Sequence, residues 1–148
     1  IAAGECEQTR YGFERFVSAR SIDIFQPDIA YCGGITEFQK INALASAAHA
    51  DVVPHCWGLK INQAAAASAI SMVPENPGRF ERRPLFLEVD QTEHPVRDTI
   101  FSTAHEVIDG KLHFNDLPGL GVEIDESAME PFVIDPKVKD ETSFAVVE

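Results

Sequence analysis

Cations, aromatics other than phenylalanine and long apolar runs are all scarce in this chain. Its 148 residues carry 12 Lys and Arg against 24 Asp and Glu, a formal charge of −12. Such a surface is repelled by a phosphate backbone and by an anionic bilayer, which argues against nucleic acid and membrane as partners. An acidic balance is compatible with a divalent cation but too common to establish one. No apolar run approaches the ~20 residues that a bilayer span requires, and no basic-then-apolar leader is visible. The three cysteines, Cys6, Cys32 and Cys56, are odd in number and lack C-x-x-C spacing. They read as reduced thiols of a cytoplasmic protein rather than as a disulfide framework. Zinc held by Cys6, Cys56 and His55 suits the ligand chemistry but lacks the ligand spacing of zinc sites. Methionine is absent from the start, and Ile1-Ala2-Ala3-Gly4-Glu5 reads as the middle of a strand. That predicts a piece of a longer protein.

What is present is enough for one domain with a core: 45% of the residues are hydrophobic and 24% charged, the balance of a globular protein. The organising stretch runs from Ile24 to Glu37. Ile22, Ile24 and Phe25 make a short apolar strand, Pro27 ends regular pairing, and Asp28 stands just beyond it. A Gly33-Gly34 turn follows, then Thr36 with Gln39 three residues on, a capping-box signature before an amphipathic run. The pattern is strand, acid-bearing loop, helix. In parallel α/β folds the carboxyl end of the strands is where chemistry collects.

The same rhythm repeats on both sides. Ile1 to Gly4 reads as a strand ending at Glu5, and Thr9 opens a helix with Phe13, Phe16 and Val17 on one face. A second helix spans Thr36 to Ala48, with Phe38, Ile41, Leu44, Ala45 and Ala48 as its apolar stripe. Asp51 to Pro54 is a third strand ending at His55, Gly58 a turn, and Asn62 to Val73 an alanine-rich third helix. Beyond a Pro- and Arg-rich insertion over residues 74–84, Leu85 to Val89 reads as a fourth strand carrying Glu88. Repeated β-then-α units imply parallel pairing. After Asp90 the rhythm stops. Asp109-Gly110 marks a hairpin between His105 and His113, Leu117 to Gly121 is loop, and Asp125 caps a short helix to about Glu130. Residues from Pro131 on are weakly patterned and read as a polar tail.

Set side by side, the strand ends present Glu5, Asp28, His55 and Glu88. A single polar residue at a strand end is usually a cap. Asp28 alone reads equally well as capping its own turn, and Glu88 as an ion-pair partner of Arg82 or Arg83. Four ionisable groups at the same end of successive parallel strands read better as one site: carboxylates suited to a metal or to acid chemistry, and a histidine base with an aspartate to orient it.

These segments (Ala3-Gly4-Glu5, Gln26-Pro27-Asp28 with Gly33-Gly34-Ile35-Thr36, Val53-Pro54-His55, Leu87-Glu88 and Leu117-Pro118-Gly119-Leu120-Gly121) resemble the C-terminal half of the enolase superfamily, in particular its mandelate racemase group. The resemblance runs from Ile1 to about Phe132. It implies an α/β fold, the C-terminal half of a (β/α)7β TIM-type barrel. The parallel strands would be the fifth to eighth of that barrel, with their helices, and a hairpin and short helix would follow. Residues 1–98 would be the half-barrel, 99–132 the segment returning toward a capping domain, and 133–148 the tail. The resemblance further implies Glu5 as one of three carboxylates holding Mg²⁺, Asp28 and His55 as an acid/base dyad, and Glu88 as the acid facing a developing enolate. A histidine at position 55 argues against the muconate-lactonising and dipeptide-epimerase groups, which use lysine. Trp57, beside His55, would line the substrate site. The expected partner is a small-molecule carboxylate, a sugar acid or its lactone, attacked at the proton next to its carboxylate by a racemase, dehydratase or cycloisomerase. The residues after Glu88, Asp90-Gln91-Thr92-Glu93-His94-Pro95, look most like those of dehydratases and lactone cycloisomerases. The family's other metal ligands and opposite-face lysine have no counterpart in this chain. A second expectation is therefore a non-catalytic half-barrel stabilised by self-association, a homo-oligomer formed through open strand edges.

Overall fold

A parallel sheet is the frame of the computed structural model, which describes residues 1–73, 84–103, 105–113 and 117–134. Strands β1 (Ala2–Ala3), β2 (Ile24–Phe25) and β3 (Asp51–Val52) pair in chain order, Ala2 opposite Ile24 and Ile24 opposite Asp51. Helix α1 (Thr9–Ala19) connects the first two strands, α2 (Gly34–Ala47) the next two, and α3 (Lys60–Ile70) follows β3. The formal strands are only two residues long, yet the ladder continues beyond them. Val53 N–H donates to the Phe25 carbonyl at 3.0 Å and His55 N–H to the Pro27 carbonyl at 3.2 Å. Pro27 has no N–H to give back, but its carbonyl still holds the neighbouring chain in line.

The core lies between this sheet and the helices. Phe13 of α1 stacks on Phe25 of β2 with ring centroids 5.4 Å apart, and Phe38, Ile41 and Ala45 of α2 complete the fully buried cluster with Cys32, Ala66 and Ala69. The face expected for α1 is found: Phe13 is buried and Phe16 and Val17 pack against it. The alanines of α3 are buried at 64, 66, 67 and 69, where small side chains allow close approach. Ile24 and Val53, on the other face of the sheet, are half-buried rather than in water.

Three expectations need correction. The second helix starts at Gly34, not at Thr36, and no capping box forms. Gly33 is its N-cap with φ of 110°, a left-handed backbone that glycine alone adopts freely, and no side chain caps the turn. Leu85 to Val89 forms no strand among the described residues, so the parallel sheet has three strands, not four. That segment is held by side chains instead, through bonds described below, and Leu85 and Phe86 are exposed. The third helix begins two residues early and ends at Ile70.

The later part contains more than the sequence suggested. Helix α4 (Pro95–Ile100), capped by the His94 ring accepting from Arg97 N–H at 3.2 Å, leads into β4 (Phe101–Thr103). Strand β4 pairs antiparallel with β7 (Val122–Ile124), and the expected Asp109-Gly110 hairpin joins β5 (Glu106–Ile108) to β6 (Lys111–His113). The short helix after Asp125 is a 3₁₀ segment, Ser127–Phe132, and Asp125 Oδ1 accepts from the N–H groups of Ser127 and Ala128. The insertion over residues 74–83, including Arg82 and Arg83, and most of the expected tail, residues 135–148, lie outside the described residues. Among those described, no helix is long and apolar enough to cross a membrane.

Candidate active site

The parallel register brings Asp28 and His55 level at the carboxyl end of the sheet, where they form an isolated β-bridge. Adjacent strands lie ~4.8 Å apart, so side chains of such a pair meet when both point to one face. They do: His55 Nδ1 and Asp28 Oδ2 are 2.7 Å apart. The imidazole is half-buried, whereas Asp28 is 6% exposed. Asp28 is surrounded by donors. Oδ1 accepts from Ala30 N–H at 2.7 Å, and the Asn62 amide reaches both oxygens, at 3.2 and 3.4 Å. An ionised carboxylate so engaged acts toward the ring as an acceptor, an arrangement that favours the hydrogen on Nδ1 and the lone pair on Nε2.

Glu5 stands on the other side of the ring, its Oε2 3.5 Å from His55 Nε2. Gly4 delivers it there with φ of 120°, at the turn leaving β1. Glu88 lies across the ends of β2 and β3, accepting from Gln26 Nε2 at 2.8 Å and from Cys56 N–H at 3.1 Å. Each of its two oxygens thus accepts from one N–H donor. The alternative ion pair with Arg82 or Arg83 falls outside the described residues.

Trp57 is 69% exposed. The backbone next to it is tied down, since Gly58 N–H donates to Asp90 Oδ2 at 3.3 Å. Asp90 also accepts from the backbone and hydroxyl of Thr92 and pairs with Arg97 at 2.8 Å. These contacts, the Thr92 N–H first among them, lower the Asp90 carboxyl below its ordinary range. The contacts that Asn62, Asp90 and Arg97 make around these groups were not read from the sequence. Asn62 occupies the first turn of α3, seven positions after His55, and only the structure shows that this turn folds back on Asp28.

Among the described residues no cluster of three His, Cys, Asp or Glu side chains could hold a metal ion. The zinc alternative from Cys6, Cys56 and His55 is therefore not formed: Cys56 is buried and Cys6 exposed. Glu5 is a hard oxygen donor of the kind Mg²⁺ takes, but the described residues do not complete its ligand set.

The family described as Enolase C-terminal domain-like matches residues 1–128. D-galactarolactone cycloisomerase of Agrobacterium fabrum is 36% identical over 132 residues, 89% of this chain and 35% of that protein. Arabinonate dehydratase of Saccharolobus solfataricus is 29% identical over 132 residues, 33% of its length. The chain thus spans about a third of the length of these curated relatives. Among solved structures, the 3,6-anhydro-D-galactonate cycloisomerase from Zobellia galactanivorans superposes with a TM-score of 0.80 at 35% identity, over 91% of this chain and 36% of that one.

Proposed function

The chain belongs to the enolase C-terminal domain-like family of the enolase superfamily, and on that premise we propose that it carries the acid/base dyad of an enzyme that removes the proton next to a carboxylate in a sugar acid or its lactone. His55 is the base, through Nε2. Asp28 orients the ring and steadies the charge it takes up. Glu88 faces the substrate from beside the ends of β2 and β3, and Trp57 lines the approach. The observation that carries the reading is the 2.7 Å contact between Nδ1 and a buried carboxylate, which leaves Nε2 as the basic nitrogen of the same ring. The sugar-acid and sugar-lactone names of the relatives support the substrate class.

The proton in question is weakly acidic, and its loss leaves a doubly charged enediolate. Mg²⁺ is the cofactor of this reading, with Glu5 as one oxygen ligand and the rest of its set outside the described residues. When bound, it offsets negative charge on the substrate carboxylate. The chain's own residues account for the proton: Nε2 takes it, and a carboxylate oxygen of Glu5 lies 3.5 Å from the nitrogen that then bears it. The test is solvent deuterium exchange at the carbon next to the carboxylate, followed by proton NMR in a protein containing this chain and its His55→Asn variant. Exchange in the parent and none in the variant is expected; equal exchange in both would end the reading.

A second reading has an observation of its own. Strands β1 and β3 each pair on one side only among the described residues, and Leu85 and Phe86 are exposed. The 148-residue chain alone would then be an inactive half-barrel stabilised by association with another copy.

A further inference from the structure

Asp28 can serve His55 only if its carboxylate plane is fixed. Ala30 N–H holds Oδ1, but one contact at one oxygen is a pivot, and the terminal torsion of an aspartate has a broad energy profile. The second hold comes from a different element. Asn62, in the first turn of α3, spans both Asp28 oxygens with its amide nitrogen at 3.2 and 3.4 Å. Only the NH₂ end of an asparagine can donate to a carboxylate, so the orientation of the amide follows from chemistry. The site is sheltered, with the Asp28 side chain 8% exposed, so water cannot readily replace a lost donor.

We infer that Asn62 is a positioning residue that locks the Asp28 carboxylate in the plane of the imidazole and thereby keeps neutral His55 in its Nδ1–H tautomer. This rests on the dyad described under the proposed function, yet it makes a separate claim, about which nitrogen holds the hydrogen rather than about turnover. The groups facing the ring are Asp28 at Nδ1 and Glu5 at Nε2, and both are acceptors when ionised. The tautomer is therefore decided by which carboxylate is better aimed. Glu5, with its side chain 62% exposed, faces solvent, whereas Asp28 is held by Asn62 and Ala30.

The experiment is long-range ¹H–¹⁵N NMR of the histidine ring in the 148-residue chain, above the imidazole titration, which distinguishes a protonated from a bare nitrogen directly. The unsubstituted chain should show His55 predominantly as Nδ1–H. Asn62→Ala should move the tautomer ratio roughly fivefold toward Nε2–H, the worth of one ordinary hydrogen bond. Asn62→Leu, which keeps the volume and removes the donor, should do the same while preserving the packing of α3. Unchanged ratios in a folded variant would overturn the inference. So would an Nε2–H or evenly mixed His55 in the unsubstituted chain, a result that needs no variant to fold. Failure of the deuterium-exchange test with a normal tautomer response would remove the proposed function and leave the role of Asn62 standing.

Discussion

Burial divides the three thiols into two kinds. Removal from water pushes the Cys32 thiol up to about 11 and that of Cys56 up to about 12, the nearby Asp28 carboxylate adding to both. The thiolate is the reactive form, so both are inert at neutral pH, whereas Cys6 is exposed. A disulfide reagent at pH 8 should titrate one thiol in the native chain and three after unfolding. Glu37 gives a pH signature. Its carboxylate accepts from the Arg10 backbone and guanidinium and from Lys40, and it is lowered to about 2 from an ordinary 4.5, with the Arg10 backbone N–H as the largest cause. A carboxyl lowered on folding contributes stability that is fully present above about pH 4.5 and is lost as pH falls toward about 2. Glu37→Gln, which removes the titrating group while leaving Arg10 and Lys40 in place, should flatten that part of the stability profile, measured by urea unfolding from pH 6 to pH 2. Asp28 and His55 were legible as neighbours because adjacent parallel strands end level. Asn62 was not, because nothing in a helix's own pattern tells which strand end its first turn will touch.

Elements explain the glycine before Glu5. A methyl group at Gly4 would lie 2.6 Å from the Phe13 ring, and its φ of 120° is one that other residues rarely adopt. Gly4→Ala should cost about 1–3 kcal/mol through backbone strain and displacement of a buried ring, read from the urea midpoint. Phe25→Ala, which empties the place where Phe13 stacks, should cost about 3–5 kcal/mol by the same measure. The three βα units were readable because their periodicities and turn residues agree. The segment after Asp90 was less so. Strand β4 finds its partner β7 about twenty positions later, a pairing set by tertiary contact rather than local pattern. Leu85 to Val89 has the composition of a strand but no ladder among the described residues, since composition records apolarity and not the presence of a neighbouring backbone.

For the molecule as a whole, the strand edges left open among the described residues predict association. Exposed apolar side chains include Ile1, Leu85, Phe86 and Trp57. A few hundred Å² of such surface is worth several kcal/mol at about 25 cal/mol per Å². Sedimentation across micromolar concentrations should show a dimer or larger species; a monomer throughout would argue that the faces are covered within one chain. Mg²⁺ titration of the same sample should give binding no tighter than about millimolar, because one carboxylate does not make a cage. Glu88, finally, ties together residues made at very different moments. It reaches back 62 positions to Gln26 and 32 to Cys56. At about 5–20 residues per second of synthesis, Asp28 and His55 emerge seconds before Glu88. Closing such long loops is also slow in refolding. A chain interrupted before residue 88 would contain both members of the histidine–aspartate pair but lack the carboxylate that accepts from Gln26 and Cys56.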